Sequence, residues 1–147
     1  MLKALMQKDL VQLNVDGNIT AVDEWATNAS ASSKYKNIGA YATGIGSTIV
    51  VKGNAIINGM GAFADNGAII TIGGLGSNIN AGESIGIAAT NGGIINFGGG
   101  TITVGTGSLD DTKSFYADSS SKINFTGATT INITKGDLIV GDASDYG

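Results

Sequence analysis

Four eight-residue segments of this chain align with one another without a gap. In each of them the fourth and sixth positions are apolar and a glycine stands at position eight, and the segments begin 21, 25 and 28 residues apart. They are GSTIVVKG (46–53), GAIITIGG (67–74), GGIINFGG (92–99) and SSKINFTG (120–127). A period of this order with alternating apolar residues is typical of a solenoid, in which stacked repeats share one core.

Two further short elements flank each segment. A cluster that contains alanine, usually with an aromatic residue, lies just upstream at 40–42 (AYA), 62–64 (AFA), 87–89 (IAA) and 115–117 (FYA). A short apolar stretch follows downstream at Ile56 and Ile57, at Ile79, at Ile102 and Val104, and at Ile131 and Ile133. The repeat unit is therefore three short strands. We predict an all-β chain that forms a parallel β-helix of about four or five coils over residues 37–147.

Alternation along each strand predicts which side chains form the core. Ile70 and Ile72 are expected to face inward and Thr71 outward, because successive side chains lie on opposite faces of a strand. Coils stacked about 4.8 Å apart would align the inward residues into two columns. These columns are Ile49-Ile70-Ile95-Ile123 and Val51-Ile72-Phe97-Phe125.

The glycines that close the four segments are predicted to lie at corners of the coils. There the backbone takes a positive φ or turns sharply beside its neighbours, and glycine tolerates both conditions. The four residues are Gly53, Gly74, Gly99 and Gly127. A β-branched residue in their place is expected to disrupt the corner.

Residues 1–36 fit the repeat poorly and are predicted to form an irregular or capping segment. Leu2, Leu5 and Met6 have helical spacing, whereas residues 13–21 alternate on either side of an Asp-Gly turn signal. These patterns predict a short helix or irregular start, followed by a hairpin or a degenerate coil. Trp25 lies in a polar, loop-like stretch, where its bulk favours covering an exposed end of the core, with ligand stacking as the alternative.

The composition excludes several classes of protein. Glycine supplies 24 of the 147 residues, but proline and cysteine are absent, so neither a collagen helix nor a disulfide framework fits. An apolar content of 42% with 14% charged residues indicates a chain that forms a core. The net charge of -4, with only scattered lysines as cations, argues against nucleic acid as a partner. No apolar stretch approaches the roughly 18 residues of a membrane span, so no membrane contact by this segment is expected.

Candidate catalytic residues are few, because the chain has no histidine, cysteine or arginine. A glycoside hydrolase on a β-helix needs two carboxylates across the bond that it cleaves. The adjacent Asp110 and Asp111 would face opposite sides of a strand, whereas Asp65 and Asp118 follow equivalent clusters and are expected on one corner. The other copies carry threonine there, at positions 43 and 90, so a solvated turn is the preferred interpretation. We predict no enzyme and assign no catalytic residue.

Two kinds of glycine-containing motif raise the question of a metal or cofactor. Residues 73–81 (GGLGSNINA) resemble one calcium-binding nonapeptide with Asn78 in place of aspartate. Tandem copies are missing, and the lost carboxylate weakens binding to a hard cation. The pieces 59–61 (GMG) and 105–107 (GTG) lack the strand-to-helix context of a dinucleotide-binding loop and are interpreted as corners. No metal and no cofactor are therefore predicted.

Small polar residues recur beside the inward columns. Thr71, Asn96 and Asn124 would stack on an outward face, which suits a glycan or a protein ligand. Such a ladder also stabilises a solenoid without any ligand, and this is the preferred interpretation. Regular threonine arrays can match ice, but Thr-x-Thr occurs here only at 101–103, so ice binding is a remote option.

The repeats resemble those of a known class of surface protein. The units 61–74 (GAFADNGAIITIGG), 86–105 (GIAATNGGIINFGGGTITVG) and 114–133 (SFYADSSSKINFTGATTINI) are similar to the "GIYA, NGGTINF, GGTITV" repeats in passenger domains of bacterial autotransporter adhesins, particularly the fusobacterial type. The resemblance covers about residues 37–147. It implies a right-handed parallel β-helix displayed outside a Gram-negative outer membrane through a C-terminal translocator barrel. Because neither that barrel nor an export signal is recognisable, we expect this chain to be part of a longer passenger domain.

We therefore expect a cell-surface adhesin or passenger-domain segment, a stiff module that mediates or supports attachment to host or neighbouring cells. Its partner would be a cell-surface protein or glycan, and the variable loop 108–114 (SLDDTKS) is the first expected recognition element. The alternatives are a purely structural stalk segment and a carbohydrate-active β-helix enzyme. An uncapped end would also expose unpaired strand edges, which predicts end-to-end self-association.

Overall fold

The computed structural model describes residues 2–8, 12–22, 37–82, 85–105 and 113–142. In these ranges the chain forms sixteen β-strands and no helix. The strands are β1 Leu2–Lys8, β2 Gln12–Val15, β3 Ile19–Ala21, β4 Asn37–Thr43, β5 Thr48–Val51, β6 Ala55–Asn58, β7 Met60–Asp65, β8 Ile69–Ile72, β9 Ser77–Gly82, β10 Ile85–Thr90, β11 Ile94–Phe97, β12 Gly100–Val104, β13 Lys113–Asp118, β14 Lys122–Phe125, β15 Thr129–Ile133 and β16 Asp137–Asp142.

Three parallel sheets contain these strands. Sheet 1 has the order β1-β4-β7-β10-β13-β16, sheet 2 the order β2-β5-β8-β11-β14, and sheet 3 the order β3-β6-β9-β12-β15. Each strand pairs with the strand three positions later in the chain, so three consecutive strands make one coil. Over the described strands there are five such coils, β1–β3 to β13–β15, and β16 begins a further one. The prediction of an all-β parallel β-helix is confirmed.

The two columns of sheet 2 have the predicted register. Strand pairing aligns Ile49 with Ile70, Ile95 and Ile123, and it aligns Val51 with Ile72, Phe97 and Phe125. The first three members of each column are fully buried. Leu13 and Val15 extend both columns by one coil, which the comparison of the segments did not detect. Burying a side chain of this size stabilises the fold by about 1.5–3 kcal/mol, so the columns account for much of the stability that the core provides.

Sheet 1 uses very small residues where it faces sheet 3. A Cβ atom built on Gly39 would lie 2.7 Å from Cδ1 of Ile57, and one built on Gly86 would lie 2.6 Å from Cγ2 of Ile102. These isoleucines belong to a buried column of sheet 3 that also contains Ile79. The interior is too narrow for a second large side chain at these heights, which explains the glycine and alanine in the sheet 1 clusters.

The structure corrects the prediction for the N-terminal residues. Residues 2–8 form strand β1, which pairs with β4, so the short helix predicted from Leu2, Leu5 and Met6 is wrong. Strands β2 and β3 pair with β5 and β6 in two different sheets, so the hairpin is wrong as well. The alternative of a degenerate coil describes these strands. Trp25 lies outside the described residues.

The last described coil is less covered than the others. Strands β14 and β15 stand at the ends of sheets 2 and 3, while sheet 1 continues to β16. Phe125 is accordingly 37% exposed, although the equivalent Phe97 is fully buried and the two rings meet edge to face at 6.0 Å. Strand edges of this kind can pair with another chain, and end-to-end association stays a prediction.

The four closing glycines lie at corners between sheets 2 and 3, as predicted. Gly99 has a φ of +144°, in the region that favours glycine. Close approach between coils explains Gly74, whose N–H donates to the carbonyl oxygen of Gly53 at 2.9 Å. A Cβ atom on Gly74 would lie 2.5 Å from that oxygen. A side chain at this corner would therefore push two coils apart.

Replacing Gly74 by alanine is expected to lower the free energy of unfolding by about 1–3 kcal/mol, because the methyl group overlaps the backbone of the neighbouring coil. Gly73→Ala is the matched control: Gly73 is exposed and its added Cβ would lie 3.4 Å from the nearest atom, the carbonyl oxygen of Lys52. That variant should change stability by less than about 0.5 kcal/mol. Urea denaturation followed by circular dichroism compares the two, and equal losses would contradict this explanation.

Two buried hydroxyl groups have no hydrogen-bond partner among the described residues, those of Ser47 and Ser114. Ser47 precedes β5 as Ala68 precedes β8, so the next coil places a buried alanine at the same position. The methyl group of alanine fits there without a polar atom. The hydroxyl of Ser47 is therefore a source of instability that the fold does not need.

We expect Ser47→Ala to raise the free energy of unfolding by about 1 kcal/mol, because it removes an unsatisfied buried hydroxyl. Ser121→Ala changes the same position of the fifth coil, where the hydroxyl oxygen accepts from Gly92 N at 3.1 Å and its proton is donated to Asp118 at 2.6 Å. That variant should lose about 1 kcal/mol. Thermal and urea unfolding measure both, and a loss of stability in Ser47→Ala would show that its hydroxyl has a partner.

Candidate functional site

The predicted carboxylate pair lies at the corners between sheets 1 and 2. Thr43 pairs with Asp65, and Asp65 pairs with Thr90, so these residues form one polar column at the ends of the sheet 1 strands. Asp118 ends strand β13 and takes the equivalent place in the following coil, since Ala117 pairs with Ala89. We call this column, with the turn residues that follow it, the polar corner.

Asp65 is bound by three donors of the polar corner. Its Oδ1 accepts from Thr90 Oγ1 at 2.6 Å and from Asn91 Nδ2 at 2.8 Å, and its Oδ2 accepts from Thr43 Oγ1 at 3.4 Å. These partners belong to the coils on either side. The carboxylate therefore connects three consecutive coils.

Asp118 makes its hydrogen bonds within its own turn and to one neighbouring coil. Its Oδ1 accepts from Ser121 Oγ at 2.6 Å and from both the N–H and the hydroxyl of Ser120, at 3.2 and 3.1 Å. Its Oδ2 accepts from the N–H of Asn91 at 2.6 Å. Burial alone would raise the pKa of Asp118, but the bonds from Ser121, Asn91 and Ser120 outweigh it and hold the pKa below its usual value.

The predicted proximity of Asp65 and Asp118 is only partly met. They lie on the same corner, but one coil, which carries Thr90 and Asn91, stands between them. Asn91 bonds to both carboxylates, to Asp65 through its side chain and to Asp118 through its backbone. Glycoside hydrolysis needs one carboxyl that is protonated near neutral pH, and a lowered pKa gives Asp118 the opposite property. The contacts fit the interpretation of these residues as turn residues.

The turns of the polar corner explain two asparagines that the sequence analysis did not single out. Asn66 and Asn91 have φ values of +52° and +50°, and glycine follows each with φ near +80°. The N–H of Ala68 donates to the carbonyl of Asp65 at 3.2 Å, and the N–H of Gly93 to that of Thr90 at 2.9 Å. Two consecutive positive φ values define a type I′ turn, for which Asn-Gly is the preferred pair. Here the turn joins strands of two different sheets.

The polar ladder predicted on sheet 2 is present and bonds to itself. Asn124 Nδ2 donates to Asn96 Oδ1 at 2.9 Å, and Asn96 Nδ2 donates to Thr71 Oγ1 at 3.3 Å. The strand pairing places these three residues in one outward column, as expected. A ladder of this kind stabilises the stacking of coils. It uses hydrogen-bonding groups that a ligand would otherwise meet.

The outward face of sheet 3 is a polar surface that the sequence analysis missed. Thr101 and Thr103 pair with Asn78 and Asn80 in the preceding coil and with Thr130 and Asn132 in the following one. The three coils share the pattern polar-Ile-polar around the buried column. Asparagine and threonine alternate at these equivalent outward positions, so Asn-x-Asn, Thr-x-Thr and Thr-x-Asn do not look like copies of one motif in the sequence.

The glycine-containing motifs serve the corners. Within residues 73–81 the corner N–H of Gly76 donates to Asn54 Oδ1 at 2.9 Å, and Asn78 lies on the outward face of β9. Gly59 and Gly105 have φ values of +139° and +76° beside strand ends. These contacts agree with the interpretation of the glycines as corner residues.

Several predicted elements lie outside the described residues. They are Asp110, Asp111 and most of the loop 108–114, of which the structure describes strand β13 from Lys113 onward. Across the described residues, histidine, cysteine, aspartate and glutamate form no group of three that could hold a metal ion. The same residues contain no helix of the length and apolar character that crossing a bilayer requires.

Comparison with known proteins finds no relative for this chain. No family model, no curated protein and no solved structure matches it. The resemblance to autotransporter passenger repeats therefore depends on the repeat residues themselves.

Asp118→Asn is expected to lower the free energy of unfolding by about 1 kcal/mol at pH 7, because an amide accepts through only one oxygen and carries no charge. The stability from a lowered pKa is present above the ordinary aspartate pKa of about 3.9 and is lost as the pH falls through the lower folded value. The difference between wild type and variant should therefore shrink at acid pH. Urea denaturation at several pH values measures it.

Asp16→Asn provides the control for this experiment. The Asp16 carboxylate pairs with Lys52 at 2.6 Å, but the two side chains are 85% and 66% exposed, and exposed pairs contribute little. This variant should unfold like the wild type at neutral pH. An Asp118→Asn deficit that stayed constant down to acid pH would contradict the role assigned to the ionised carboxylate.

Proposed function

We propose that this chain is a module of a bacterial surface protein of the autotransporter adhesin type, displayed outside the cell. The observation that carries the proposal is the stacking of the passenger-like repeats in one register. The units 61–74, 86–105 and 114–133 pair with one another in sheets 1 and 2, and the last two units also pair in sheet 3. A module of this kind mediates or supports attachment to host or neighbouring cells.

The mechanism of such a module is mechanical and geometric. Continuous columns of fully buried side chains join successive coils, and backbone hydrogen bonds between parallel strands follow the same direction. A solenoid held in this way is stiff along its axis, since each coil is fixed by its neighbours. It holds its outward faces and loops at fixed spacings and at a distance from the cell that displays it.

A purely structural stalk segment is the second candidate. It is favoured by the polar corner, where Asp65 accepts hydrogen bonds from Thr90 and Asn91. It is also favoured by the sheet 2 ladder, where Asn124 donates to Asn96. A carbohydrate-active enzyme is the weakest of the three candidates. The two carboxylates that share a corner, those of Asp65 and Asp118, are separated by one coil, and both accept hydrogen bonds from Asn91 of that coil.

Attachment is tested with fluorescent beads that carry the purified chain. We expect saturable binding to cultured epithelial cells or to bacterial cells, inhibited by an excess of soluble chain. A variant in which residues 108–114 are replaced by a short Gly-Ser turn examines the predicted recognition loop. Circular dichroism establishes that both chains remain rich in β-structure.

The outcomes separate the candidates. Binding that is lost with the loop while the fold persists would place recognition in that segment, and binding that persists would place it on another surface of the module. Background binding by both chains to every cell type would contradict the adhesive function and favour the stalk.

A further inference from the structure

The outward face of sheet 3 presents a regular array of small polar side chains, which we call the sheet 3 face. Three consecutive coils contribute two residues each: Asn78 and Asn80, Thr101 and Thr103, and Thr130 and Asn132. Parallel pairing sets the rows about 4.8 Å apart, and the two residues of a row about 6.6 Å apart. Their positions are fixed by the buried isoleucines between them, Ile79 and Ile102 among these.

These six side chains make no hydrogen bond or ion pair within the part of the chain that the structure describes. Asn78, Asn80, Thr130 and Asn132 are exposed, and the two threonines at 101 and 103 are half-buried. The contrast with the other polar surfaces is sharp, because the sheet 2 ladder and the polar corner bond to themselves. Three adjacent rows of amides and hydroxyls are therefore open to a ligand in water.

The sheet 3 face is also uncharged. Its two columns continue into the preceding coils as Ile56 with Thr20 and as Asn58, whose Nδ2 donates to the carbonyl oxygen of Val22 at 3.1 Å, and none of these residues is a lysine or an aspartate. Val22 is 45% exposed, and Ile56 is half-buried. The surface thus combines hydrogen-bonding groups with some apolar area and no charge. A charged ligand would find no partner for its charge here.

We propose that the sheet 3 face binds the hydroxyl groups of a neutral, unbranched polysaccharide that lies along the axis of the solenoid. This inference rests on the proposed attachment function and assigns it a surface and a ligand class. An asparagine amide donates two hydrogen bonds and accepts two, and a threonine hydroxyl donates one and accepts two. A chain of sugar residues offers hydroxyls that do both, repeated in one dimension as the rows are.

A protein ligand fits the sheet 3 face less well. Protein interfaces derive most of their affinity from a few buried aromatic and arginine side chains seated in pockets. The six residues are small and stand on a regular strand surface, so they offer polar contacts in rows instead of a pocket. Their β-sheet setting fixes the backbone in advance, which reduces the entropy lost when a ligand binds.

The test uses cellohexaose and xylohexaose as neutral linear probes and hexagalacturonate as a charged probe, with isothermal titration calorimetry as the measurement. The wild-type chain should bind at least one neutral probe more tightly than the charged probe. The double variant Thr101→Val/Thr103→Val should bind that probe at least about tenfold more weakly, because two hydroxyls are removed while the β-branched shape stays.

Thr48→Val is the matched control, since Thr48 lies half-buried on the outward face of sheet 2 and its side chain makes no hydrogen bond to the other described residues. It should bind the probe as the wild type does. Asn80→Asp is a second variant on the sheet 3 face that keeps the size of the side chain. It removes two donors and adds a charge, so it should also weaken binding. It tests the proposal independently if the double variant fails to fold.

Each outcome decides the proposal. Loss in the two sheet 3 variants with retention in Thr48→Val supports it. Equal binding by the wild type and the double variant, no binding of either neutral probe, or preference for hexagalacturonate overturns it. A chain that slows the growth of ice crystals but binds neither neutral probe overturns it as well, in favour of ordered water as the ligand.

The bead assay keeps this inference apart from the attachment function. Beads that carry the double variant and still bind cells would leave attachment intact and remove the sheet 3 face from it. Wild-type beads that bind no cell while the chain binds cellohexaose would contradict attachment and leave the polysaccharide surface in place.

Discussion

The in-register stacking of one coil on the next is the constraint on which the rest of the structure depends. Each coil is only three short strands, and none could bury its own apolar residues. The column from Leu13 through Ile49, Ile70 and Ile95 to Ile123 exists because the same position recurs at the same height in every coil. A register shift by one residue would move these side chains to the outside, so the apolar pattern itself fixes the stacking.

Close stacking makes demands at the corners that apolar patterning does not reveal. Glycine at 74 allows the backbone to pass within hydrogen-bonding distance of Gly53, while Gly39 and Gly86 leave room for isoleucines of sheet 3. Polar turn residues also allow adjacent coils to stack closely at the corners. Asn91 adopts a positive φ and bonds to Asp65 and Asp118 in the two flanking coils. The abundance of glycine and asparagine is thus a consequence of the coil spacing.

The sequence predicted the strands of the aligned repeats and missed strand β1. Strands β8 and β11 follow strict period two, so their inward and outward residues were assigned correctly. Sheet 1 breaks that rule, because Gly86 and Ile87 are adjacent and both lie against the interior. A strand of this kind has no clean period. For that reason β1 resembled a helix, and a coil was predicted in residues 1–36 only as an alternative to a hairpin.

The candidate surfaces were harder to predict than the fold, because a polar residue has the same sequence pattern whether it bonds to the protein or to a ligand. Asn96 and Thr103 both stand beside a buried core residue and both face outward. Asn96 bonds to Asn124 and Thr71, so its amide supports the stack. Thr103 has asparagines on either side in its column, and its side chain makes no hydrogen bond to theirs. Only the side-chain contacts divide polar residues that stabilise the solenoid from those that remain available for recognition.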